Sequence, residues 1–286
     1  MKKYYFTSGL PRCGNTLISS ILNQNPNIFA TGLSCLPEVF YRLLTIAEDD
    51  IAFNTSPCPE NLQNVFVNLF DTFYKNKKED IIIDRSNWIT PFNYPVLHEY
   101  CPNDVKILIL VRPMVEVIKS YLKVCQNSPL FYINQQYNQI DKSTLYKSEL
   151  ETKVDLILQK EHEVDRNLYS IKWLVDNDYT ENVRILDYND LIDNPKESIN
   201  FLYEWYDIPK YNHDFKNLKQ VSEYGVRYAD NEYLQADLHT IRTNGIEKLD
   251  NDIELPDHLV KLCESLNVWE GKIKRLGDWH LTKTDI

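Results

Sequence analysis

The stretch Lys3–Ser8, KYYFTS, is β-prone and ends in Gly9. Six residues further on, NTLISSIL starts a helical pattern in which Leu17, Ile18, Ile21 and Leu22 share one face. Pro26 stops that helix. Strand, glycine loop and helix in this order constrain the fold more than any other feature of the chain. The first backbone N–H groups of such a helix point at whatever the loop encloses, and glycine lets an anion come close. The alternation continues with further strands at Asp80–Asp84 (DIIID), Val105–Val111 (VKILILV) and 182–188 (NVRILDY). VKILILV is the most apolar of these and belongs at the centre of a parallel sheet. Helical patterns lie between them, among them PVLHEYC, VEVIKSYLKV, and ETKVDLILQKEHEVDRNLYSIKWLVDN read as one long amphipathic helix. ENLQNVFVNLFDTFYKN also reads as one helix. The pattern predicts a three-layer α/β/α fold around a central parallel sheet. It reads as one domain over residues 1–286, with the alternation fading after Pro209.

A net charge of -11 excludes the broad basic face of a nucleic-acid binder. It leaves room for a small anion, because a few convergent arginines in one cleft suffice. None of the six cysteines forms a C-x-x-C pair, which argues against zinc and for reduced thiols in a cytoplasmic protein. No apolar run is long enough to span a membrane. His162, His213, His258 and His280 are scattered without ligand spacing.

The loop itself, SGLPRCGNT, nearly matches the phosphate-cradling pattern G-x-x-x-x-G-K-[ST]. Gly9, Gly14 and Thr16 are in place, Asn15 replaces the lysine, and a cation appears earlier, as Arg12. The missing lysine argues against ATP chemistry, since that residue reaches the β/γ-phosphates. Asp84 is the one contender for a magnesium-holding aspartate after a strand. A kinase-like phosphotransferase is the alternative enzyme, and a tight turn with a surface arginine the ordinary one.

GLPRCGNTLISSILNQNP resembles the P-R-S-G-[TS]-T loop of sulfotransferases that use 3′-phosphoadenosine 5′-phosphosulfate (PAPS), a family with a P-loop NTPase-like fold. The resemblance implies that Pro11, Arg12, Cys13, Gly14, Asn15 and Thr16 wrap the 5′-phosphosulfate, with Cys13 and Asn15 as departures from the family pattern. The loop is also similar to that of tyrosylprotein sulfotransferases. LILVRPMVEVIKSYLKV is similar to the family's second signature, which implies that Arg112 and, eight residues later, Ser120 hold the 3′-phosphate. Arg112 also has Glu116 one helical turn away as an ordinary ion-pair partner. VRILDYNDLIDNPKESINFLYEWYDIP resembles the strand-YEDL-x-x-x-P-helix segment, with Tyr188 near the nucleotide. IIIDRSNWIT resembles bacterial and phage-type members and implies that Arg85 reaches the sulfate end. DLHTIRTNGIEK resembles a C-terminal segment of the same members, with Arg242 as a phosphate contact. The resemblance runs from Tyr5 to Pro209, and more weakly to Lys248. It implies that residues from about 210 to 286 fold over the cofactor side.

The implied reaction moves a sulfuryl group from PAPS to a hydroxyl or amine without a metal. Arg12 and the loop N–H groups would stabilise charge on the departing phosphate. A general base is also needed. Glu38, His239 and Asp84 are its candidates, each with an ordinary role as an exposed helix carboxylate or a hydrogen-bonded side chain. The acceptor is a small molecule, a carbohydrate or a peptide. Phe29, Phe40, Trp88, Phe92 and Phe131 are candidates to line its pocket, and the Tyr-rich segment Asn127–Glu151 to wall it. A protein that holds the nucleotide without turnover stays open beside the enzyme, and the oligomeric state is not legible.

Overall fold

The computed structural model describes residues 2–220, 230–233, 235–241, 245–247 and 251–278. Five strands, β1 Lys3–Gly9, β2 Ile28–Ala30, β3 Ile81–Arg85, β4 Ile107–Val111 and β5 Val183–Asp187, form one sheet in the order β2-β3-β1-β4-β5. Every pairing is parallel. All five residues of β4 are buried, as an apolar run in the middle of a parallel sheet must be.

Neighbouring residues of β1 show why there are three layers. Side chains alternate across a strand. Tyr5 stacks on Tyr206 of the helix Pro195–Tyr206, with ring centroids 4.3 Å apart, on one face. Phe6 meets Phe70 and Trp88 at 5.9 and 5.3 Å on the other. The expected α/β/α fold is the observed one.

From β1 the chain runs out to the edge at β2 and back to β3, then crosses to β4 and β5 on the far side of β1. The crevice where the direction reverses therefore opens at the carboxyl end of β1, beside the ends of β3 and β4. Open α/β sheets bind their ligands there.

Two expectations change, and one strand has no counterpart in the sequence reading. The single helix expected around Gln159 is two, Glu149–Leu158 and Glu163–Asp176. Glu161 turns the chain with a φ of 68°, and the His162 ring caps the second helix by accepting from the Val164 N–H at 3.2 Å. The helix expected around Asn68 likewise divides into Pro59–Val67 and Leu69–Phe73. β2, at three residues, is too short to carry a period.

Asp84 is a core residue. It is fully buried in β3, where it accepts from the Tyr74 hydroxyl and from Trp88 Nε1 at 2.8 Å, and burial pushes its carboxyl up from the ordinary range. Phe29, Phe40, Trp88 and Phe131 are core side chains as well. Near the C-terminus, Ile185 of β5 donates to Lys274 O (3.0 Å) and accepts from Leu276 N (2.8 Å), so the end of the chain is laid along the sheet. Among the described residues no helix is long and apolar enough to cross a membrane.

Candidate active site

A cavity of about 680 Å³ opens at the carboxyl edge of the sheet. Its walls include the β1 loop (Pro11, Arg12, Gly14–Leu17), Arg85 at the end of β3, Arg112 after β4 and Tyr188 after β5. Four strands thus each deliver a residue that the sequence had singled out.

The loop is built for close approach. Gly14 has a φ of 80° and precedes the helix Asn15–Leu22, whose first turn contains no acidic residue and no side-chain cap. Its first N–H groups and its positive dipole end are left for a ligand. A Cβ on Gly14 would stand 2.9 Å from Cδ2 of Tyr188, so that ring lies directly against the loop. Asn15, in the lysine's place, donates through Nδ2 to Leu10 O at 2.9 Å and so ties the loop to itself. Cys13 is buried beneath the loop, where burial raises its thiol, and its side chain does not line the cavity. Arg12 adopts a φ of 64°, a left-handed backbone that costs a non-glycine residue about 1 kcal/mol. Strain of this kind persists where the surroundings hold it.

The β1 loop and the Arg112–Ser120 segment meet through Arg12. Its Nε donates to Ser120 Oγ at 3.2 Å, and its guanidinium also reaches Leu238 O. Arg112 Nη1 donates to Arg12 O at 3.4 Å, and the Arg112 guanidinium covers the Tyr188 ring at 4.4 Å. The ion pair with Glu116 is present at 2.9 Å through Nε, and Nη2 has no protein partner among the described residues. Arg85 lines the cavity with its Nη1 donating to Gly32 O.

His239 lines the same cavity. Asp230 fixes it three ways: Oδ1 is 2.8 Å from His239 Nδ1, and Oδ2 accepts from the Leu238 and His239 N–H groups at 3.0 and 2.8 Å. A carboxylate on Nδ1 sets the tautomer and aim of the other nitrogen. Asp230 was absent from the sequence reading, because nothing in DNEYLQADLH marks a pair nine residues apart.

The cavity continues between Tyr121, Tyr132 and the start of the helix Glu163–Asp176. There the Tyr121 hydroxyl donates to Glu163, and Tyr132 Oη lies 2.5 Å from His162 Nε2. His162, which the sequence left as one scattered histidine, thus stands in the wall. Burial lowers its pKa and keeps its ring neutral. Tyr132 lies in the segment expected to wall the acceptor.

Of the candidates for a base, the structure brings only His239 into the cavity. Glu38 is exposed on the helix Leu36–Asp49, paired with Arg42 at 3.1 Å. Asp84 is sealed in the core. Of the five aromatics expected in a pocket, none lines this one. Arg242 lies outside the described residues. Within the described walls, Arg12, Arg85, Arg112, Lys160 and Arg166 outnumber Glu161, Glu163 and Glu247, so the cavity is locally cationic in a chain of charge -11.

A parallel sheet with an anion-cradling loop at its switch point and arginines at its strand ends defines a phosphate-loop group-transfer protein. The comparisons narrow the class: residues 2–222 match the sulfotransferase domain family, and the chain belongs to it. The sulfotransferase domain from the curacin biosynthetic pathway superposes with a TM-score of 0.57 at 13% identity, over 93% of this chain and 97% of that one. The sulfotransferase domain of the Synechococcus PCC 7002 olefin synthase gives a TM-score of 0.49 at 15% identity, over 93% and 95% of the two chains. No curated protein matches the sequence. The chain is a sulfotransferase, and its acceptor is not identified by these likenesses.

Proposed function

We propose that the cavity takes PAPS and an acceptor bearing a hydroxyl or amine, and that the acceptor leaves as its sulfuryl derivative. The observation that carries this reading is the meeting of the two motifs at Arg12, which bonds Ser120 and is itself capped by Arg112, in one cavity. The residues suit such a cofactor: an uncapped helix start, an arginine with donors to spare, and an aromatic face beside them. When bound, PAPS supplies a sulfuryl group activated as a mixed anhydride with phosphate.

The loop from Pro11 to Thr16 receives the 5′ end through its N–H groups, with the Cys13 side chain serving only to pack the loop from below. Arg112, Ser120 and Tyr188 receive the 3′-phosphoadenosine end. Arg12 and Arg85 face the charge that builds on the leaving phosphate, where fixed donors in a dry site contribute most. His239, aimed by Asp230, takes the proton that the acceptor oxygen or nitrogen gives up as its bond to sulfur forms. Leu238–Ile241 and Gly245–Glu247 line the cavity, which supports a C-terminal part folded over the cofactor side.

The test is calorimetric titration with 3′-phosphoadenosine 5′-phosphate (PAP) against ATP with Mg²⁺. PAP is expected to bind without metal and more tightly than Mg-ATP. Arg112→Ala should weaken it by about 10- to 100-fold, as befits lost hydrogen bonds to a charged group. Preference for Mg-ATP, or indifference to Arg112→Ala, would sink the reading.

A further inference from the structure

We infer that the acceptor carries a carboxylate, held by Tyr132 and Arg166 in the wall of the cavity. The inference rests on the sulfuryl-transfer reading and adds to it the chemistry of the acceptor.

The hydrogen-bond directions at His162 can be worked out. Its Nδ1 accepts from the Val164 N–H at 3.2 Å, so that nitrogen carries no proton. The ring is neutral, so the proton is on Nε2. Nε2–H therefore donates to Tyr132 Oη across 2.5 Å. A tyrosine hydroxyl that accepts a hydrogen bond at its oxygen still has its own hydrogen to give, and among the described residues no group takes it. Tyr132 thus enters the cavity as a donor.

Arg166 follows His162 by one turn on the same helix and shares its face. It lines the same cavity, and among the described residues its guanidinium has no hydrogen bond or ion pair. Its charge is felt at both Tyr132 and His162. Glu163 stands beside it, and its charge is felt at Tyr132 and His162 more strongly than that of Arg166; it accepts from the Tyr121 hydroxyl and makes no ion pair with Arg166 among the described residues. A hydroxyl donor and a guanidinium fork offer donors only, and their complement is a planar oxyanion. Arg12, Arg85 and Arg112 lie on the β1, β3 and β4 side of the cavity. An acceptor anion beside an already anionic cofactor needs a cation of its own, and Arg166 is placed to be that cation.

The probes are two matched pairs, 4-hydroxybenzoate with 4-hydroxybenzamide and mandelate with mandelamide, titrated into the PAP-loaded protein. The carboxylates should bind about 10- to 100-fold more tightly than the amides. Arg166→Gln should erase the preference and leave PAP affinity unchanged. Tyr132→Phe, which keeps the ring, should reduce the preference by about tenfold or less. Equal binding of acids and amides, no binding of the acids, or a preference surviving in Arg166→Gln would overturn the inference. A loss of PAP affinity in Arg166→Gln would also overturn it, by assigning that arginine to the cofactor. Failure of the wild type to bind PAP is read separately, in the first titration; it removes the parent reading and this inference together.

Discussion

Gly9→Ala is expected to leave the protein unfolded at ambient temperature. A Cβ at residue 9 would lie 2.2 Å from Leu110 O and within 3 Å of Leu110 N and C. Gly9 also holds a φ of 139°, which an L side chain rarely adopts. The atoms in the way are backbone atoms of β4, paired with β1 in the register Gly9↔Leu110, so no rotamer can relieve the clash. Relief requires separating the two central strands of the sheet. A loss above about 4–5 kcal/mol is exceptional for one substitution, yet here it is the expected scale. Against a total of roughly 5–15 kcal/mol that is enough to empty the native state. Gly271→Ala is the control: its φ is 68°, but nothing lies within 4 Å, so only backbone strain of about 1 kcal/mol is added. Urea titration followed by circular dichroism checks both. A Gly9→Ala protein with a near-wild-type midpoint would show that the β1–β4 contact is looser than described.

His239→Ala should lower kcat by about 10²- to 10⁴-fold, the range for losing a positioned base, and leave PAP affinity near wild type. Asp230→Asn should lower kcat as well, because the ring would lose the carboxylate that orients it while the nitrogen that takes the proton stays in place. The rate is read as PAP release with the acceptor that the matched-pair screen selects. Turnover by His239→Ala at the wild-type rate would move the base elsewhere, and Glu161, Glu163 and Glu247 are then the carboxylates already in the wall.

The strand-end side of the candidate site was legible because its residues sit at places the sequence marks. Arg12, Arg85, Arg112 and Tyr188 each follow an apolar run, and the end of such a run in a parallel sheet is the ligand edge. The wall around His162 was hidden by continuity. The amphipathic pattern runs unbroken through Gln159–His162, so neither the turn at Glu161 nor the cap formed by His162 leaves a trace in periodicity. Asp84 misled for the opposite reason. Three isoleucines followed by an aspartate resemble a strand end, and only the folded chain brings Tyr74 and Trp88 around that carboxylate. Glu38 stands on the solvent side of its helix, where Arg42 is its partner. Asp230 is found through hydrogen bonds to backbone, which have no sequence signature.

Arg12 carries a temporal consequence. It bonds partners 108 and 226 residues away, at Ser120 and Leu238. Contacts of such separation come after the loop-closure entropy of the intervening chain has been paid. The guanidinium can settle only when the sheet is complete and the distal third of the chain has docked. A nascent chain on the ribosome would hold its anion loop long before that loop could work, and Arg12 would find its last partner only once the segment around Leu238 had emerged.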